Sequence, residues 1–113
     1  MNIMKLRSIA VLTAIFFVAG SLSAADAKAN WDKQCAKCHG PDGKGQTTMG
    51  KKLKVKDYTD PEFQKKLKDD EAVKIITEGK KDGDKVLMKA YKPELSEPEI
   101  KDLVAFVRKF AKK

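Results

Sequence analysis

The residues best suited to chemistry lie within five consecutive positions of this 113-residue sequence. Cys35, Cys38 and His39 are the two cysteines and the single histidine of the whole chain. Two cysteines at this spacing can form a redox disulfide, help to bind a zinc ion, or form thioether bonds to the vinyl groups of a haem. The composition of the rest of the chain discriminates between these three chemistries.

A haem attachment site explains the spacing best. A tetrahedral zinc site needs four cysteine or histidine ligands, and the chain has three. A thioredoxin-like disulfide is expected beside a βαβ pattern, which the sequence lacks. Residues i and i+3 of a helical turn point the same way, so both sulfurs can reach one porphyrin edge. We therefore predict one haem c, with thioether bonds to Cys35 and Cys38 and iron ligation by His39.

The N-terminal residues 1–25 have the pattern of a secretory signal peptide. A basic start is followed by an apolar run over residues 9–20 and by small residues before Asp26. The run is short for a membrane span, which favours a cleaved signal peptide. The alternative is that the segment is retained as an N-terminal membrane anchor. We expect a cleaved signal and one exported periplasmic domain at residues 26–113.

Methionine is the leading candidate for the sixth iron ligand, because no second histidine exists. Met1 and Met4 fall in the predicted signal peptide, which leaves Met49 and Met88. Met49 follows His39 closely in a glycine-rich stretch, whereas three helix-like segments separate Met88 from His39. Met88 can therefore return over the opposite face of the ring and is the predicted ligand. Its alternative role is that of a core filler.

The remaining chain must position these residues, and its pattern predicts four helices and no convincing strand. The glycine-rich segment 40–50 is predicted to be a loop whose backbone passes close to a flat ring. A domain this small buries only about 60–65% of its unfolded surface, so a large cofactor would supply part of its core. The first predicted helix covers about Ala27–Cys38, and the last runs from Ser96 onward. The second begins at Asp60 and buries Phe63 and Leu67. The third runs from Asp69 or Asp70 to Gly79, and its inward residues are Ala72, Val73, Ile75 and Ile76.

The last helix has the clearest signals. Ser96 and Glu99 have the spacing of a capping box. Apolar residues then recur at helical spacing and form one stripe, which is expected to pack against the first helix around Trp31. The stripe consists of Ile100, Leu103, Val104, Val107 and Phe110.

The chain resembles a class I c-type cytochrome over essentially all of residues 26–113. The matching segments are "CAKCHGPDGKG", "TDPEFQKKLKDDEAVKIITEGK" and "MKAYKPELSEPEIKDLVAFVRKF". The resemblance implies an all-α, cytochrome c-like fold, with about four short helices wrapped around the haem and crossed terminal helices. It also implies His39 and Met88 as axial ligands. Lys89 departs from the family pattern, because proline commonly follows the axial methionine in similar proteins.

The function implied is one-electron transfer in a periplasmic or extracytoplasmic chain, without substrate turnover, so the protein is not expected to be an enzyme. His/Met ligation closes both axial positions and raises the reduction potential. A haem-based sensor or peroxidase-like protein is the alternative and needs a labile sixth ligand. A third possibility, suggested by charge alone, is a non-redox module that binds anionic surfaces.

The positive charge of the chain indicates an acidic binding partner. The formal net charge is +8, and many lysines lie before the middle helices or around Met88. A one-sided positive rim there would steer an acidic redox partner protein toward the haem edge. Nucleic acid is not expected as a target of an exported protein, weak association with an anionic membrane surface is an option, and we expect a monomer. The lysines of this predicted docking face are Lys51, Lys52, Lys54, Lys56, Lys80, Lys81, Lys85, Lys89 and Lys92.

Overall fold

The computed structural model describes residues 24–111. The signal peptide predicted at residues 1–25 lies almost wholly outside this range. Within it, helices dominate, and no helix has the length and apolar character needed to cross a membrane. The elements are α1 (Ala24–Asn30), a π-helical turn (Trp31–Cys35), α2 (Ala36–His39), α3 (Thr48–Leu53), α4 (Pro61–Lys66), α5 (Asp69–Glu78), β1 (Lys80–Asp82), β2 (Lys85–Met88) and α6 (Glu97–Arg108).

The first predicted helix is continuous but contains a π-helical turn. The backbone N–H of Ala36 donates to the carbonyl oxygen of Trp31, five residues back. Single π turns inside α-helices are frequent at functional sites, because they redirect the side chains that follow. Here Trp31 and Cys35 are both buried, at 2% and 9% exposure, so the helix carries an aromatic core residue and a cavity thiol on its inner side.

The last helix, α6, forms as its sequence predicts. The side chain of Ser96 accepts a hydrogen bond from the Glu99 N–H (3.3 Å), and Glu99 Oε1 accepts one from the Ser96 N–H (3.0 Å). The helix packs against α1, and Asn30 Nδ2 donates to Glu99 Oε2 across that contact (3.1 Å). Four stripe residues are buried, while Phe110 follows the helix and is partly buried: Ile100, Leu103, Val104 and Val107.

The middle helices agree with the sequence in position and differ in detail. Asp60 caps α4 by accepting from the Glu62 N–H (3.0 Å). Helix α5 begins at Asp69, and the residue before it makes no side-chain capping hydrogen bond. The helix ends at Glu78, and the φ of 78° at the following Gly79 favours glycine, although the ψ of −174° lies outside the αL conformation that a glycine at this position commonly adopts. Ile75, predicted to point inward, lines the central cavity and is 36% exposed.

One hairpin and one helix were not predicted from the sequence, whose pattern indicated four helices and no convincing strand. Strands β1 and β2 form an antiparallel hairpin in which Lys80 pairs with Met88, with an irregularity next to Lys80. Its residues are mostly exposed, so no alternation of apolar and polar residues marks it. Helix α3 lies where a loop was expected, capped by the Thr47 hydroxyl, which accepts from the Gly50 N–H (2.8 Å).

The glycines of segment 40–50 pack against the protein's own chain. A Cβ on Gly45 would lie 2.6 Å from Val55 Cγ2, and one on Gly50 would collide with the Cys38 carbonyl oxygen. No glycine lines the cavity that contains His39. The packing therefore gives these glycines a role other than the predicted approach to a flat ring, because they allow the polypeptide to fold tightly around α2.

Candidate cofactor site

One cavity of about 460 Å³ brings together all four residues that the sequence singled out: Cys35, Cys38, His39 and Met88. Met49, the other methionine candidate, lies in α3 and does not line it. The volume is typical of sites for small molecules and cofactors. Most of the remaining wall is apolar and consists of Leu53, Val55, Phe63, Leu67, Ala72, Ile75, Ile76, Leu87, Val104 and Val107.

Hydrogen bonds fix the end of α2, where the cysteines and the histidine lie. Thr47 Oγ1 donates to the carbonyl oxygen of Cys38 (2.8 Å) and thereby joins α2 to α3. Trp31 Nε1 donates to the carbonyl oxygen of Gly40 (3.0 Å) inside the protein. The first bond satisfies a carbonyl oxygen in the last turn of α2, and the second adds to the bond that the Gly40 oxygen accepts from the Gly43 N–H (3.2 Å). The end of the motif is therefore anchored by two hydrogen bonds to other parts of the protein.

His39 is buried, and the environment of its imidazole suits a metal ligand. Burial lowers the pKa of His39 to about 4, so the ring is neutral at pH 7 and a nitrogen lone pair is available. Nδ1 is buried without a hydrogen-bond partner among residues 24–111. The ring stacks on Tyr58 with centroids 5.0 Å apart and an interplanar angle of 19°, and Trp31 lies 5.7 Å away.

The cysteine pair does not have the properties of a redox dithiol. Both thiols are free, and burial, helped by the nearby Cys38, raises the pKa of Cys35 to about 12. Redox-active Cys-x-x-Cys sites need the opposite shift, toward the thiolate. In the described part of the chain, no three His, Cys, Asp or Glu side chains are grouped to bind a metal ion, which argues against zinc. Thioether attachment remains the chemistry that fits.

Met88 is held at the cavity by the segments around the hairpin. It ends β2, is partly buried and packs against the main core cluster. A Cβ on Gly79 would lie 2.6 Å from the Met88 carbonyl oxygen, so only glycine allows this close approach. Beyond the strand, Tyr91 donates its hydroxyl to the Gln34 carbonyl oxygen (2.8 Å) and ties the segment to the π turn.

The charged residues that line the cavity are all lysines, and no aspartate or glutamate is among them. All five are exposed, so their ammonium groups reach solvent. Lys89 also forms an ion pair with Glu94 (2.7 Å) and lies 5.0 Å from the centre of the Tyr91 ring. We call this set the lysine rim: Lys37, Lys54, Lys56, Lys80 and Lys89.

The cavity fits a covalently attached haem. A cysteine pair for the vinyl groups, a neutral imidazole with a buried unpartnered nitrogen and a thioether surround an apolar volume. Tyr58 and Tyr91 also line this volume, and the sequence did not single them out. No local pattern marks them, because their role depends on packing between elements that are distant in sequence.

Comparison with known proteins agrees with this donor set. The model of a family described as cytochrome c oxidase, cbb3-type, subunit III matches residues 23–107. The solved structure of KustC0563 c-type cytochrome is 32% identical, covers 76% of this chain and 98% of its own, and has a TM-score of 0.69. A tyrosine-to-phenylalanine mutant of Kustc0563 is 33% identical over 75% of this chain and 98% of its own, with a TM-score of 0.67. No protein of curated function matches.

The family match covers three quarters of the chain, and the solved structures share its helical fold. The all-α, cytochrome c-like architecture predicted from the sequence is thereby confirmed. Proteins of this kind generally carry electrons rather than transform substrates. The chain is a small c-type cytochrome of the family described as cytochrome c oxidase, cbb3-type, subunit III, and its cofactor is covalently bound haem c.

Proposed function

We propose that the protein is a one-electron carrier of an extracytoplasmic electron-transfer chain and not an enzyme. Cys35 and Cys38 hold the haem, and His39 and Met88 are its axial ligands. The observation that carries this proposal is that these four side chains line one largely apolar cavity. Haem c supplies an iron that gains or loses one electron.

The choice of Met88 rests on position and on support from neighbouring residues. Met88 lines the cavity together with His39, whereas Met49 does not. A thioether is a soft ligand, which raises the reduction potential of a haem iron. The close approach of Gly79 and the Tyr91–Gln34 hydrogen bond restrict the movement of the segments next to Met88. A thioether restrained in this way would be able to hold the iron in both of its oxidation states.

An apolar wall also favours a carrier over a catalyst. A peroxidase-like or sensing haem needs an open or labile coordination position with polar groups beside it. His39 and the two tyrosines are the polar side chains in the wall besides Gln34 and the lysine rim. Burial raises the pKa of Tyr58 to about 12, so its phenol remains protonated and is a poor general base.

For partners, we propose transient docking of an acidic redox protein at the lysine rim. The rim contributes five positive charges around the cavity that holds the cofactor, although Glu94 offsets the charge of Lys89. Complementary charge speeds the encounter of two proteins more than it tightens their complex. A carrier needs fast exchange, so a weak electrostatic contact suits it. Nucleic acid is not a proposed partner, and an anionic membrane surface is a weaker alternative to a protein.

We propose that this carrier is a monomer, exported to the periplasm through a cleaved signal peptide at residues 1–25. The proposal of export rests on the sequence of that segment, in which basic residues precede an apolar run. Covalent attachment suits an exported protein, because a tethered haem cannot diffuse away. N-terminal sequencing of the mature protein tests it, with a start at or near Asp26 as the expected result.

The experiment that tests a carrier against a sensor is a spectrum of the reduced protein with and without carbon monoxide. A carrier with two protein ligands keeps its reduced spectrum unchanged when the gas is added. Rapid conversion to a carbon monoxide adduct at neutral pH would contradict the proposal and favour a sensor or peroxidase-like protein. Absence of covalent haem after denaturing electrophoresis would leave only a binding module.

A further inference from the structure

The imidazole of His39 is oriented by aromatic neighbours. Rotation about the bond that joins a histidine ring to Cβ is soft, so something else must fix the plane of the ring. In most metal sites a hydrogen bond from the second ring nitrogen does this. His39 Nδ1 has no such partner among the residues that the structure describes. Its ring instead lies nearly parallel to that of Tyr58, at 19° and 5.0 Å.

The backbone of Tyr58 is fixed at both of its polar groups. Its N–H donates to the carbonyl oxygen of Gly43 (2.8 Å), in the loop that follows His39. Its carbonyl oxygen accepts a hydrogen bond from Gln64 Nε2 (2.7 Å). These two bonds fix the backbone of Tyr58, and Phe63 packs against its ring at 5.5 Å between centroids, which limits movement of the ring away from the imidazole. Gln64 therefore joins the backbone of Tyr58 to helix α4.

Gln64 is buried, and its carboxamide is fully engaged. Nε2 also donates to the carbonyl oxygen of Val107 in α6 (3.0 Å), and Oε1 accepts from Arg108 Nη1 (3.0 Å). A buried amide with all these partners has one favourable orientation, because any rotation leaves polar groups unpaired. Gln64 thus connects the residue stacked on His39 to the most buried helix of the protein.

Arg108, the last residue of α6, holds Gln64 and its neighbours in place. Its guanidinium donates to the carbonyl oxygens of Gln64 (2.7 Å) and Leu67, and it forms an ion pair with Asp69 (2.7 Å). These bonds join the end of α6 to the end of α4 and the start of α5. The planar, multidentate guanidinium suits this role better than a lysine would.

We propose that Gln64 is a positioning residue for His39: by holding Tyr58 against the imidazole, it sets the plane of the ring relative to the haem. This inference rests on the proposed role of His39 as an iron ligand. Gln64 does not line the cavity, and of the two cavity residues whose carbonyl oxygens it binds, Tyr58 and Val107, only Tyr58 stacks on His39.

The test is the proton NMR spectrum of the oxidised holoprotein together with its reduction potential. Hyperfine shifts of the haem methyl groups follow the orientation of the axial imidazole plane. We expect Gln64→Leu, which removes every hydrogen bond of the amide, to change the order or the spread of these shifts and to move the potential. Gln64→Glu keeps the side-chain volume and the contact with Arg108. It places a carboxylate oxygen, which cannot donate a hydrogen bond, next to the Tyr58 carbonyl oxygen, so it should cause a similar change.

Two controls separate positioning from general loosening. Gln46→Leu changes an exposed glutamine and should leave shifts and potential as in the wild type. Ile100→Val loosens the core in α6 at a residue that does not line the cavity. Wild-type methyl shifts in both Gln64 variants, or equal changes in Ile100→Val, would overturn the inference. A wild-type protein without a histidine-ligated, low-spin spectrum would instead overturn the proposed function.

Discussion

At the residue scale, the environment of His39 determines which chemistry this short motif can perform. A solvated histidine of ordinary pKa would be partly protonated near neutral pH. Burial keeps this one neutral, and the aromatic rings of Trp31 and Tyr58 hold it in place. The same burial raises the pKa of Cys35, so its thiol is protonated at neutral pH in this fold.

We expect the double change Cys35→Ala and Cys38→Ala to remove covalent haem and to leave the chain largely unfolded. The core of this small domain surrounds a cavity of about 460 Å³, and apolar helix faces cannot pack without something to fill it. Circular dichroism of the purified variant measures the loss of helix. Lys37→Ala, an exposed change between the two cysteines, should keep both haem and helix. A cooperative melt of a fully helical protein without haem would contradict this expectation.

Residue types and spacing were enough to predict the four residues that share the cavity. Cys35, Cys38 and His39 are recognisable because their spacing is local. Tyr58 and Gln64 were not predictable, since their roles arise only when the loop after His39 meets α4 and α6. Positioning residues of this kind leave no local pattern in a sequence.

At the scale of elements, local signals predicted the helices well where caps and apolar periodicity agreed. The Ser96–Glu99 capping box and the buried stripe of α6 are examples. The hairpin was missed because its strands are short and exposed, although Asp82 and Gly83 offered a turn signal. Helix α3 was missed because glycine lowers helix propensity and Gly50 lies inside it.

We expect Ser96→Ala to destabilise the protein by about 1 kcal/mol, because the N-terminus of α6 loses its cap. The measurement is unfolding of the holoprotein by guanidinium at neutral pH. Thr48→Ala, a change of an exposed residue that caps nothing, is the control. An unchanged unfolding midpoint in Ser96→Ala would show that the cap contributes nothing to stability.

The capping box also gives α6 a pH dependence. Hydrogen bonds from the backbone and side chain of Ser96, and then from Asn30, lower the pKa of Glu99 in the folded protein. The stabilisation is therefore present above the unfolded pKa and is lost as pH falls through the folded pKa. Glu99→Gln should flatten the acid side of the stability profile, and the same slope in the variant and the wild type would contradict this.

At the scale of the whole molecule, the distribution of charge matters more than its sum. The chain has a net charge of +8, and the lysine rim brings part of this charge to the cavity. The family resemblance and the helical pattern predicted both the architecture and the basic character. Four of the five rim lysines, all except Lys37, belong to the predicted docking face, whereas the other predicted lysines do not line the cavity: Lys51, Lys52, Lys81, Lys85 and Lys92.

We expect the double reversal Lys56→Glu and Lys80→Glu to slow electron transfer to an acidic acceptor protein at low salt. The effect should shrink as salt is raised, because the Debye length falls from about 30 Å at 0.01 M to about 8 Å at 0.15 M. Stopped-flow spectroscopy measures the rate. The matched control is Lys66→Glu with Lys109→Glu, which changes net charge equally at exposed lysines outside the rim. Equal slowing by both pairs would mean that net charge alone affects the rate, and it would contradict the proposed docking face.

The measurement that tests the central claim most directly is the near-infrared spectrum of the oxidised protein, where a methionine sulfur bound to haem iron gives a weak charge-transfer band. We expect Met88→Ala to abolish this band and to lower the reduction potential, because the soft thioether favours reduced iron. Met49→Ala should keep both, since Met49 lies outside the cavity. Loss of the band in Met49→Ala with its survival in Met88→Ala, or no such band in the wild type, would contradict the account.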